Sequence, residues 1–377
     1  MRRPISLILV VSLVAVATTA VAAQATNSTE DRLSVMATEQ LEPGVFRVGN
    51  DGVRDLEPGD IEHLAVGLDG SVWTFGVDGF YRLGHEQAEA LAAGPELVPH
   101  QTFAVGPDGT LWVDGLHWEP RGWDGLGAFD GERWSWHRPD DIPPGYWPWD
   151  LHLGPDGSVL ALLAGRGEWQ SKAALVARLE DGQWEVSEGE PGLLPELFGG
   201  ESSSAWMVGD SPSPTLSRFD GAAWQPMDTP SGFPGQWELV VGPADGLWVR
   251  LWEGSVADFG TPPMSLAHWD GSTWQRWDRE HFPIEAGESL LGAFQPVDAA
   301  PDGSLWGRVA WPSWESPFSR EWTEPECDGV ARFDGTTLSR YLEGLCVGAL
   351  DVAPDGSAWL LAGPDHDQWE LYVITPE

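Results

Sequence analysis

Six polar residues recur beside alternating apolar positions in short strand-like stretches of this chain: His63, Asp150, His152, Glu238, Asp298 and Asp351. Alternation places them on the face opposite their apolar neighbours, such as Leu64 and Val66 or Leu151 and Leu153. Drawn together, four carboxylates and two imidazoles would suit a divalent cation. Oxygen-rich sets favour Ca²⁺ or Mg²⁺, and an added His shifts the preference towards Zn²⁺ or Mn²⁺. Asp150, Glu238, Asp298 and Asp351 are then the candidate metal ligands, and His63 or His152 the candidate general base. Without a cation, gathered carboxylates raise one another's pKa. The plainer use of the same groups is to hydrate a channel and to bond neighbouring backbone amides. Other catalytic signatures are missing from the sequence. There is no G-x-S-x-G elbow and no phosphate-cradling G-x-x-x-x-G-K-[ST], and "HEQAE" at 85–89 lacks the second His of a zinc-protease helix.

The elements that must position these residues are repeats. One unit is an apolar strand, a turn of the type Pro-Asp-Gly and a second strand carrying Trp. It occurs as "LAVGLDGSVW" at 64–73, "FAVGPDGTLW" at 103–112, "LHLGPDGSVL" at 151–160, "LVVGPADGLW" at 239–248, "VDAAPDGSLW" at 297–306 and "LDVAPDGSAW" at 350–359, with a degenerate copy ending at Trp206. Asp-Gly favours tight antiparallel turns because Gly accepts positive φ and Asp bonds nearby amides. Trp73, Trp112, Trp206, Trp248, Trp306 and Trp359 share one repeat position, held by Leu160 in the remaining copy, and read as a column of core contacts. A second hairpin follows, as in "LGAFDGERWSWH" at 126–137 and "VARFDGTTLSRY" at 330–341.

Two hairpins make a four-stranded antiparallel sheet that cannot bury both faces alone and must stack on its neighbours. The copies therefore predict an all-β, seven-bladed β-propeller of four-stranded antiparallel blades, spanning 44–377, whose C-terminal blade is completed by the N-terminal strand or strands. Trp-bearing insertions between the two hairpins of blades two, three, five and six mark loops on one face of the ring. Trp123, Trp147, Trp149, Trp252, Trp311 and Trp314 are candidate binding aromatics there. Cys327 and Cys346 flank the second hairpin of blade six and are expected to form a disulfide across its base.

The chain ends set the compartment. Arg2 and Arg3 precede an apolar run and then "TTAVAAQA", the order of a secretory signal over 1–25, with a linker over 26–43. The protein is expected to be exported, or held at the cell surface if the segment is not cleaved, with no membrane span after its removal. A formal net charge of −39 repels phosphate backbones, so nucleic acid is not an expected partner. Such a surface attracts cationic partners or serves solubility.

The pattern x-PDG-x-LW followed by R-F-DG-x-x-W resembles two-component-regulator propeller repeats, and its first half is similar to the repeats of streptogramin lyase. "HWDGSTW" at 268–274 is also similar to the Asp-box of sialidases. The first resemblance implies an extracellular sensor or binding ring. The second implies a His base with metal-binding acids at the ring face, an arrangement with no clear match here. The leading expectation is a monomeric, non-catalytic ring that binds a protein, peptide or glycan through its loop face and channel mouth. The rival is a metal-dependent lyase or lactone hydrolase, with a Ca²⁺ or Mg²⁺ site in the central channel. A third is a structural ring within a cell-surface complex.

Overall fold

A computed structural model describes residues 38–48, 61–67, 69–76, 79–83, 88–90, 103–116, 123–137, 142, 146–154, 157–165, 175–180, 182–188, 198–199, 205–209, 215–219, 223–229, 237–242, 246–252, 264–278, 294–311, 326–364 and 369–375. The expected signal segment lies outside them. Among the described residues every regular element is a strand, and no helix is long and apolar enough to cross a membrane.

Six sheets are four-stranded meanders. Blade one comprises Ile61–Val66, Val72–Gly76, Gly79–Leu83 and Ala88–Ala90; blade two Phe103–Val105, Leu111–Leu116, Trp123–Phe129 and Trp134–His137; blade three Tyr146–Leu153, Val159–Gly165, Leu175–Glu180 and Gln183–Glu188. Blade four comprises Phe198–Gly199, Ala205–Gly209, Thr215–Phe219 and Trp224–Met227; blade five Trp237–Val241, Leu247–Trp252, Met264–Trp269 and Trp274–Trp277; blade six Phe294–Ala299, Leu305–Trp311, Glu326–Phe333 and Leu338–Tyr341. The first strand of each is innermost. It lies beside the inner strand of the next blade, and Cys346–Val352 closes the circuit between blade six and blade one.

The expected seven-bladed ring of four-stranded blades is corrected: there are six such blades, not seven, and a different sheet closes the ring. Six blades have the predicted four strands. The closing sheet has five, ordered Thr38–Glu42, Val45–Val48, Glu370–Ile374, Ala358–Gly363 and Cys346–Val352. The C-terminal segment supplies the three inner strands and the N-terminal segment the outer two. The extra strand arises because the chain turns back through Gly44, whose φ of +74° suits glycine, so residues expected as linker pair with Val45–Val48. The seam is fastened by Val45 opposite Ile374 and by the Thr375 amide donating to the Gly44 carbonyl at 2.8 Å.

The core lies between blades, as the Trp column predicts. Trp73, Trp206, Trp248, Trp306 and Trp359 are buried, and Leu160 fills the same place in blade three. Trp73 packs with Ala65 and Phe80 of its own sheet and with Val105, Leu111 and Phe129 of the next. The Arg of the second hairpin lies opposite the Trp of the first: the Arg82 guanidinium stands 5.5 Å from the Trp73 ring and Arg218 5.6 Å from Trp206. In blade six, Arg332 donates to Ser304 Oγ at 2.9 Å and pairs with Asp302 of the Pro-Asp-Gly turn. That carboxylate also accepts from the Ser304 amide at 3.0 Å, and Gly303 takes φ +84°. Burial alone would lift the Asp302 pKa, but the Ser304 bonds and Arg332 bring it below the ordinary carboxylate value. The repeat motif is thus one physical unit of turn acid, Arg and Trp.

The disulfide is present, but not across the base of one hairpin. Cys327 begins the third strand region of blade six and Cys346 the inner strand of the closing sheet, with Cα atoms 4.6 Å apart. After Tyr341 the chain turns through Leu342 and Gly344, both at positive φ, which carries Cys346 into the neighbouring sheet. The bridge therefore staples blade six to the closing sheet.

Candidate functional site

The ring axis is lined by the inner strands, and the six polar candidates fall on two levels of it. His152, Asp298 and Asp351 are each the next-to-last residue of an inner strand, opposite Leu160, Trp306 and Trp359. His63, Asp150 and Glu238 sit two positions earlier in the repeat, opposite Phe75, Leu162 and Arg250. Two residues of strand separate the levels by about 7 Å. By backbone register the six candidates thus stand three to a level. One level stands beside the Pro-Asp-Gly turns, and the groups share no single layer. Among the described residues no three His, Cys, Asp or Glu side chains form a set that could hold a metal ion.

Asp298 and Asp351 do come together, across the junctions on either side of the Cys346–Val352 strand. Asp298 Oδ1 accepts from the Ala299 amide at 2.7 Å, and its Oδ2 reaches into the closing sheet to accept from the Val352 amide at 2.8 Å. Asp351 Oδ1 accepts from that same Val352 amide at 2.9 Å, and its Oδ2 reaches onward to the Val66 amide of blade one at 2.6 Å. All four oxygens are thereby committed to backbone. Burial pushes the Asp298 carboxyl above its ordinary value despite these bonds. Burial, then the neighbouring Asp298 charge and the hydrogen bond between the two, pushes Asp351 further up.

The two faces of the ring differ in kind. Successive strands alternate direction, so both hairpin turns of a blade lie on one face and the connection between second and third strands on the other. The turn face is acidic. Asp130, Asp270 and Asp334 each cap a second-hairpin turn, as where Asp334 Oδ1 accepts from the Thr336 amide at 2.8 Å. Bonds from the Thr273 amide and from Ser272 hold the Asp270 carboxyl well below the usual range. These turns account for the Asp-box likeness: the aspartates cap the turns of the second hairpins.

Trp residues mark the opposite face through backbone placement. Trp252 and Trp311 end second strands, Trp123 begins a third strand, and Trp147 is the second residue of an inner strand, with Trp149 two residues on. These five belong to strands. Trp314 lies outside the described residues. Trp237, the first residue of an inner strand, shares this placement and was not singled out from sequence. Aligning the starts of inner strands, not only their turns, would have found it. Of the described large apolar side chains, Leu41 on the outermost strand of the closing sheet and Trp136 on the outer strand of blade two are exposed, at 47% and 43%, the latter beside the half-buried His137. Burial lowers the pKa of His137.

No protein-family model matches the sequence, and no curated protein matches it. Solved structures do. A structure of YCF48 bound to D1 peptide aligns over 91% of this chain and 100% of its own, with 14% identity and a TM-score of 0.50. YCF48 from Cyanidioschyzon merolae aligns over 85% and 97%, with 14% identity and a TM-score of 0.51. The fold is a β-propeller. The extracellular domain of a one component system from B. thetaiotaomicron aligns over 84% of this propeller and 38% of its own chain, with 12% identity and a TM-score of 0.43.

Proposed function

We propose that this propeller is an exported, non-catalytic binding ring that holds a polypeptide partner on the face opposite its Pro-Asp-Gly turns. The observation that carries the reading is the gathering of Trp123, Trp147, Trp237, Trp252 and Trp311 at strand ends of that face in four different blades. Aromatic side chains are favoured at binding sites because they bury large areas for few rotatable bonds. Strands hold such groups more firmly than loops do. The fold neighbour bound to D1 peptide supports a peptide as the class of ligand. A net charge of −39 favours a basic segment over an acidic one. The metal-dependent lyase or lactone hydrolase reading draws no comparable support: two of its four carboxylates, Asp298 and Asp351, are bonded to backbone amides.

The test is binding of a peptide array, graded from acidic to basic, to the chain lacking residues 1–25 and to its Trp252→Ala/Trp311→Ala variant. Basic peptides are expected to bind, to weaken as salt rises, and to lose at least about tenfold in affinity with both aromatics gone, the size of one modest hot spot. Equal binding to the variant would move the site off this face, and binding indifferent to peptide charge would remove the electrostatic part.

A further inference from the structure

The position occupied by Asp298 and Asp351 recurs at every junction of the ring, and in the other blades it holds Ala65, Ala104, His152, Phe198 and Val240. A carboxyl group stands there only at the two junctions that flank the closing sheet. That sheet is also the one whose strands come from both ends of the chain. Its inner strand is held at one end by the Cys327–Cys346 bridge and at the other by the two aspartates.

From this placement we infer that Asp298 and Asp351 are a proton-sharing clasp that seals the ring, tying blade six to the closing sheet and the closing sheet to blade one, and that the seal loosens as the proton is lost. Two carboxyl oxygens converge on the single Val352 amide, at 2.8 and 2.9 Å, so two full negative charges there would face each other across one donor. Among the described residues, no cationic side chain shifts either group. What sets them is burial, each other, and the amides of Val66, Ala299 and Val352. The charged or titratable residues on the strands packed around them are Glu62 and His63 on the inner strand of blade one, Arg308 on the second strand of blade six, and Glu326, Asp328 and Arg332 on its third. Asp328 pairs with Arg340 and Arg332 with Asp302. Arg308 is engaged elsewhere, donating to the Gly348 carbonyl at 2.7 Å. A shared proton turns the repulsion into a hydrogen bond, with one carboxyl donating to the other.

The sign of the pH effect follows from the direction of both shifts. In the unfolded chain these aspartates lose their protons near the ordinary carboxylate value, whereas in the folded ring Asp351 keeps its proton to higher pH. Stability contributed by the clasp is therefore complete in acid. It declines as pH rises from that ordinary value through the raised one, and is flat beyond.

Thermal unfolding of the wild type, Asp351→Asn and Asp298→Asn, each from pH 4.5 to 9 with and without a chelator, tests this. Asn at 351 keeps a neutral group but gives up one acceptor. The variant should melt below the wild type in acid, and the gap should narrow or reverse towards pH 9. A gap constant across pH would reduce the aspartates to ordinary structural acceptors. Stabilisation by Ca²⁺ or Mg²⁺ that disappears in both variants would make the pair a cation site instead. Should the variants fail to fold, infrared spectra of the wild type decide the matter alone. A protonated-carboxyl band is expected to outlast the ionisation of the ordinary carboxylates as pH rises, and to vanish on further titration. A band lost together with the ordinary carboxylates would overturn the shared proton.

Discussion

The junction between blades one and two and the junctions around the closing sheet solve the same packing problem differently. The first is almost wholly apolar. Ala65, Trp73 and Phe80 meet Val105, Leu111 and Phe129, with Phe80 and Phe103 ring centres 5.6 Å apart in an edge-to-face contact. The closing sheet packs apolar side chains too, including Val347, Leu350 and Leu360 against Trp306 and Val330 of blade six. It adds a disulfide and two carboxyl bridges, neither of which joins consecutive blades among the described residues. Burial is non-directional, so it stacks any two sheets of this kind. Bonds with direction fix which sheet sits where, and the sheet built from both chain ends is the one that needs that specification.

The largest expected effect tests what the two kinds of junction share. Trp206→Ala and Trp306→Ala, in blades four and six, should each destabilise the ring by about 3–5 kcal/mol in denaturant unfolding, because both remove a fully buried ring from the common column. A much smaller loss at Trp306 would mean that the directional bonds carry the seam without its apolar core. Next is the bridge: Cys327→Ser/Cys346→Ser should cost about 3 kcal/mol, the chain-entropy value for a loop of this length. The variant should melt with the closing sheet loosening first, read by proteolysis near residues 342–345. Smallest is Asp302→Asn, which removes the turn acid that pairs with Arg332. The carboxylate is more than half exposed, so the loss should stay near 0.2–1 kcal/mol, with little change at either junction.

The repeat grammar was legible because it is local. Asp-Gly turns, Trp at one register and Arg opposite it, as at Trp306 and Arg332, are set by neighbours a few to about thirty residues apart. What escaped was non-local. Cys346 and Cys327 are 19 residues apart in sequence but belong to different sheets, and only the turn through Leu342 carries one past the other. Asp298 and Asp351 both stood out as polar residues on an apolar strand. Their partners, the Val352 and Val66 amides, belong to the next sheet round the ring, and the repeat pattern does not name them. The fifth strand of the closing sheet was hidden because Thr38–Glu42 lacks apolar alternation and holds its place by backbone pairing.

Residue-resolved hydrogen exchange of the native, oxidised protein tests the central claim most directly, that the ring opens at its closing sheet and is held there by directional bonds. The account predicts that the amides of Val45–Val48 and Cys346–Val352 exchange together as one unit, below the free energy of global unfolding, and faster once the disulfide is reduced. Exchange of these strands at the same rate as Val159–Leu163 in blade three, before and after reduction, would contradict it.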